Sequence, residues 1–172
     1  MRLHDVWFTG TAAVAMTAAL VAGAPVATGQ VAESRLAQLC TAPPLPGKVV
    51  DVKLTDMKSG SMRLTVNPAK VPSGTVSFRA SNTGTLAHEL VVLPLVKGQA
   101  IGKRPVGTNH RVKETGSLGE ASHNCAAGEG EGIAPGSMSW VTLKLHPGRY
   151  ELVCNIPGHY AAGMHAEFNV TQ

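Results

Sequence analysis

Towards the end of the sequence, Cys154, His159 and Met164 follow one another at intervals of five, in the run Cys-Asn-Ile-Pro-Gly-His-Tyr-Ala-Ala-Gly-Met. A thiolate, two imidazoles and a weak axial thioether are a donor set that suits a redox-active copper ion. The second imidazole has to come from elsewhere in the chain, and His88 is the candidate. Taken singly, a Cys or a Met in an apolar strand is ordinarily a core residue. The ordered set around Pro157-Gly158 is what points to a metal. Zinc suits it poorly, because its usual ligands are Cys, His and carboxylates. A Cys–His nucleophile pair leaves Met164 unused and has no evident Asn or Asp to orient the ring.

The spacing requires a loop. Five residues on an α-helix turn about 140° around the axis, so the three donors would face different directions. On a strand the same step reverses the face and moves the side chain roughly 17 Å. A segment that curls back can bring them together, and Pro157-Gly158 with Gly163 supplies the turn and the backbone freedom. Cys154 then ends a strand, His159 sits at the turn, and Met164 leads into the last strand.

Period-two alternation defines the elements that must hold this loop. Val50, Val52 and Leu54 share a face, as do Met62, Leu64 and Val66, then Val76, Phe78 and Ala80. Leu90 and Val92 follow, then Val141, Leu143 and Leu145, then Tyr150 and Leu152, and last Ala166, Phe168 and Val170. Turn signals at Ser59-Gly60, Pro72-Ser-Gly74, Asn82-Thr-Gly84 and Pro147-Gly148 separate them. Such short, punctuated strands without amphipathic helical periodicity predict an all-β sandwich. Parity places His88 on the face of Leu90 and Val92, and Cys154 on that of Tyr150 and Leu152, so both point inward. His110 and His123 fall in an irregular insertion of about residues 94–136, His146 precedes a Pro-Gly turn, and His165 faces away from Met164. These four are read as surface histidines. Glu129 and Glu131 match no calcium-loop spacing and are read as solvated.

Residues 1–29 are almost free of charge after Arg2 and Asp5, with small residues at Ala22-Gly23-Ala24, which reads as a secretory signal peptide. An uncleaved membrane anchor is the competing reading, since the apolar run is long enough to span a bilayer. Residues 30–46 form a linker ending in Ala-Pro-Pro-Leu-Pro, and residues 47–172 the folded domain. With Cys154 assigned to the metal, Cys40 and Cys125 are an even pair, expected to form a disulfide in an oxidising compartment. Two independent buried thiols are the alternative. The protein is expected to be exported, to the periplasm, the cell envelope or the exterior. Its formal net charge of +4 is scattered, with no basic run interleaved with aromatics, which argues against nucleic acid as a partner. A modest basic surplus suits an acidic redox partner or the membrane surface.

Three segments together resemble the plastocyanin/azurin-type cupredoxins: Asn82-Thr-Gly-Thr-Leu-Ala-His88-Glu-Leu, Pro147-Gly-Arg-Tyr-Glu-Leu-Val-Cys154, and Pro157-Gly-His159-Tyr-Ala-Ala-Gly-Met164. The likeness is nearest to exported single-domain sulfocyanin- and rusticyanin-like forms, and runs from about Gly47 to Thr171. It implies a Greek-key sandwich of seven or eight strands holding one type 1 copper ion. His88, Cys154 and His159 would be its equatorial ligands and Met164 the axial one. Glu89 stands where electron-carrying members often have Asn, which there bonds across to the Cys strand; Glu89 and Asn155 are the residues expected to surround the ligands. With no open coordination position, the site is expected to carry electrons rather than catalyse. Leu86, Ile156, Pro157, Ala161 and Ala162 are expected to form an apolar patch around His159 where a redox protein docks, and the chain is expected to act as a monomer. The competing function is copper storage or delivery in the cell envelope.

Overall fold

The computed structural model describes residues 40–172. The proposed signal segment and most of the linker lie outside them. Nine strands follow in order: β1 (Lys48–Asp56), β2 (Met62–Asn67), β3 (Lys70–Pro72), β4 (Gly74–Asn82), β5 (Leu90–Pro94), β6 (Gly119–Ala121), β7 (Met138–Leu145), β8 (Gly148–Val153) and β9 (His165–Thr171). Each of the seven alternating segments is a strand. The structure adds β3 and β6, three residues each and too short to show a period.

The strands form two sheets, one ordered β2-β1-β4-β7 and the other β3-β9-β8-β5-β6. β1 runs parallel to β4 and β3 parallel to β9; the other pairs are antiparallel. The inward residues of both sheets, among them Val50, Val52, Leu54, Val76, Phe78, Leu90, Val92, Leu152 and Phe168, make one apolar core. Phe78 of the first sheet meets Phe168 of the second edge to face, with ring centroids 5.0 Å apart. Such pairs add to their burial because the positive ring edge meets the negative face. His88, Cys154 and Met164 lie at one end of this core, and all three are fully buried.

Sheet two is buried on its outer face as well. Val91, Leu93 and Val153, on the opposite parity to the main core, form a second apolar cluster with Val112 and Tyr160. The covering layer is the insertion that follows β5. It contributes β6 to the sheet edge, an isolated bridge joining Val106 to Val112, and another joining Ile133 to His88. The insertion is therefore a structured cover.

Two side chains of this outer face are covered, one of them, His165, against expectation. Glu151 lies on the outward face of β8, yet it is fully buried. It accepts hydrogen bonds from Gly102 N at 2.7 Å, Arg104 Nε at 2.6 Å and Tyr160 OH at 3.0 Å. His165, expected at the surface, is half-buried against the Tyr160 ring, with its Nδ1 enclosed and without a partner. The cover over this face is the physical reason in both cases. His110, His123 and His146 are exposed as expected.

Cys40 and Cys125 are joined as a disulfide across 85 residues, tying the segment before β1 to the insertion. Closing so long a loop removes conformational freedom from the unfolded chain. Because Phe168 fills the contact between the sheets, Phe168→Ala is expected to lower the free energy of unfolding by about 3–5 kcal/mol. Urea denaturation of the two proteins checks this.

Candidate metal centre

Cys154 is the first residue after β8, and Met164 the last before β9. Between them the chain closes through a turn that begins at Ile156, where His159 N donates to Ile156 O at 3.0 Å. Proline at the second position and glycine at the third are what a type II turn requires, and Gly158 has φ of 87°. Four further bonds wind the loop back on itself. Ala162 N donates to Gly158 O, Gly163 N to Tyr160 O and Met164 N to His159 O, and Cys154 N donates to Met164 O at 3.0 Å. The last of these sets the two ends of the loop side by side.

His88 comes from the short connection between β4 and β5. Its backbone is held by Ile133 of the insertion, with His88 N donating to Ile133 O at 3.1 Å and Ile133 N to His88 O at 2.7 Å. His88 Nδ1 lies 3.2 Å from His159 Nδ1 and 4.0 Å from Cys154 Sγ, and the sulfur lies 3.3 Å from His159 Nδ1. Three donors bound at about 2.0–2.3 Å to one ion, spread at trigonal angles, stand roughly 3.5–4 Å apart. The observed triangle thus has the dimensions of a metal site. Its donors are a sulfur and two imidazole nitrogens, the set that suits copper. His88 and Cys154 have no exposed surface, and His159 keeps 8% of its own.

The protons in this cluster follow from burial. The Cys154 thiol is pushed up to about 12, chiefly because the apolar surroundings disfavour a thiolate. The metal-free site therefore holds a neutral S–H, able to donate to His159 Nδ1. Burial and the nearby His88 ring also hold the His159 imidazole below its usual range, so it too is neutral near pH 7. To hold a metal ion, Cys154 would have to give up this thiol proton.

The residues around the donors are tightly tied. Glu89 N donates to Cys154 Sγ at 3.4 Å, and the Glu89 carboxylate accepts from Asn155 N at 3.0 Å. The carboxylate thus reaches across to the Cys strand, the span expected of Asn at this position. Asn155 accepts from Val112 N at 2.8 Å and donates to Val112 O at 3.0 Å and to Glu114, which locks the insertion to the ligand loop. Gly158 N donates to His110 O, a second tie between them.

One residue near the ligands was not anticipated. Asp56, the last of β1, has Oδ1 2.9 Å from His88 Nε2. Its carboxylate also accepts from Thr85 N, Thr85 Oγ1 and Leu86 N, and these bonds hold it well below the usual carboxylate range, outweighing burial. The signal was in the parity, since Asp56 continues the inward face of Val50, Val52 and Leu54. Of the expected patch, Leu86, Pro157 and Ala161 are exposed, and Ile156 and Ala162 are half-buried.

Comparison with known proteins decides the family. The sequence matches the copper binding proteins of the plastocyanin/azurin family over residues 50–171. The chain belongs to that family. No curated protein sequence matches it. Among solved structures it is similar to a dithionite-reduced auracyanin from Roseiflexus castenholzii, at 18% identity and a TM-score of 0.49, covering 74% of this chain and 99% of that one. It is similar also to rusticyanin from Thiobacillus ferrooxidans, at 23% identity and a TM-score of 0.45, covering 84% and 95%. Auracyanin A from Chloroflexus aurantiacus, a "blue" copper protein, matches at 16% identity and a TM-score of 0.46, covering 72% and 99%. The chain is a cupredoxin, and the His88, Cys154 and His159 cluster fits its type 1 copper ion.

Glu89 is the group whose ionisation should show in the metal-free protein. Burial, then the nearby Glu120, pushes its carboxyl up to about 7 from 4.5. A raised carboxyl binds its proton more tightly folded than unfolded. The Glu89 contribution to stability is therefore fully present below pH 4.5, falls as pH rises towards 7, and levels off above. The loss amounts to about 3 kcal/mol. Denaturant titrations of the metal-free protein and of Glu89→Gln between pH 4 and 8 should show this slope as the difference between the two.

Proposed function

We propose that this protein is an exported blue copper protein that shuttles single electrons between redox partners. The observation that carries the reading is the closed triangle of His88, Cys154 and His159. In this reading those three side chains would hold the ion, and Met164, buried just before β9, would be its further, weaker ligand. Bound copper supplies a one-electron couple between Cu(II) and Cu(I).

The chain's own contribution is to hold the donors still and dry. An electron carrier loses least when its site barely changes between oxidation states. Here each donor is fixed from behind: His88 by Ile133 and Asp56, Cys154 by Glu89 N and Met164 O, and His159 by the Pro157-Gly158 turn. Burial excludes water, and a full donor set leaves no position for a substrate, which supports a carrier over an enzyme.

Only His159 among the donors keeps exposed surface; Pro157 and Ala161 stand exposed two residues from it in the chain, and Leu86 two residues before His88. A redox protein would dock on this apolar patch, against the ring edge of His159. Export is supported by the Cys40–Cys125 disulfide, since such bonds persist in oxidising compartments.

A visible spectrum of the copper-loaded protein, beside Cys154→Ala, tests the proposal. The expected result is an intense thiolate-to-copper band that ascorbate bleaches and an oxidant restores, absent in the variant. A protein that takes up copper without that band overturns the carrier reading and moves the weight to copper storage or delivery.

A further inference from the structure

Asp56 and His88 belong to different sheets and meet only at the metal end of the sandwich. β1, which Asp56 ends, is in the first sheet, and His88 lies two residues before β5 of the second. The Asp56 side chain is 10% exposed and the His88 side chain not at all. Among the described residues no Lys or Arg lies within ion-pair distance of Asp56; its one ionisable neighbour at that range is the His88 ring. The carboxylate charge is thus balanced by dipoles alone: Thr85 N at 2.7 Å, Leu86 N at 3.1 Å and the Thr85 hydroxyl at 2.6 Å.

The 83–86 turn is shaped around this group. Thr83 N donates to Leu54 O, and the Thr83 and Thr55 hydroxyls meet at 2.7 Å, pinning the turn to the end of β1. A Cβ at Gly84 would fall inside the contact radius of Asp56 Oδ1 and crowd the Asp56 backbone, so only glycine lets the turn close over the carboxylate. A carboxylate brought to an imidazole nitrogen in this way does two things. It holds the ring proton on Nε2, leaving the Nδ1 lone pair facing Cys154 and His159, and it makes the ring a stronger donor.

We infer that Asp56 is a positioning residue of the metal centre, which sets the His88 tautomer and, through its uncompensated negative charge, biases the bound metal towards Cu(II). This rests on the copper reading given above. A fixed negative charge favours the more positive of the two oxidation states, so the sign is determined: removing it raises the reduction potential.

The test compares the copper-loaded full chain with Asp56→Asn, whose amide oxygen can keep the bond to His88 while the charge is gone. Losing such a partner costs about 10–100-fold in metal affinity. The expected result is a blue variant in which Cu(II) is disfavoured by about tenfold relative to Cu(I), a rise in potential of about 59 mV. In the metal-free wild type, 15N NMR is expected to find the His88 proton on Nε2, and Asp56→Ala to give a mixture of tautomers. A blue wild type whose Asp56→Asn variant has an unchanged potential overturns the inference alone, as does a metal-free wild type with the proton on Nδ1. A wild type that binds copper without the thiolate band removes the underlying reading and this inference with it.

Discussion

Two imidazole nitrogens and a sulfur held within about 4 Å of one another, in a dry pocket, are the arrangement on which the rest of this structure depends. Three electron-rich atoms do not gather of their own accord. Without a metal, a single thiol proton bridges part of the gap, and burial keeps that proton in place. The cluster persists because each donor is fixed by bonds that do not involve the others. The β8 and β9 ends clasp the Cys154–Met164 loop, the Ile133 backbone grips His88, and Asp56 holds the far side of the His88 ring.

The insertion between β5 and β7 is central to that rigidity. It carries Ile133, it reaches the ligand loop through Asn155 and through His110 O, and it roofs the outer face of the second sheet. Beneath the roof, Glu151, Arg104 and Tyr160 form a buried polar network in which the Glu151 carboxylate is met by three donors. An ion pair of this kind is costly unless its bonding is complete, and here the carboxylate's bonding is extensive. Tyr160 is the neighbour of His159, so the network that anchors the insertion also anchors the loop.

The legible and illegible parts of the sequence differ in a physically consistent way. Strand alternation found the seven longer strands, because a half-buried strand writes its period into every second residue. It passed over β3 and β6, where three residues carry no period. It placed His88 and Cys154 inward correctly, since parity is a local property. It misjudged His165, because parity says which face a residue is on but not whether a distant segment covers that face.

By itself the sequence determined the chemistry of the donors, the turn that joins His159 to Cys154, and the alternation that makes a sandwich. These are decided by neighbouring residues: a Pro-Gly pair sets two dihedral angles, and alternation sets one buried face. Only the tertiary structure decided that His88 meets Cys154 across 66 residues, that Asp56 stands behind His88, and that the insertion is a roof. Each of those depends on how two sheets stack and where a long connection returns. That is an outcome of burying the whole core at once, and no short stretch of chain records it.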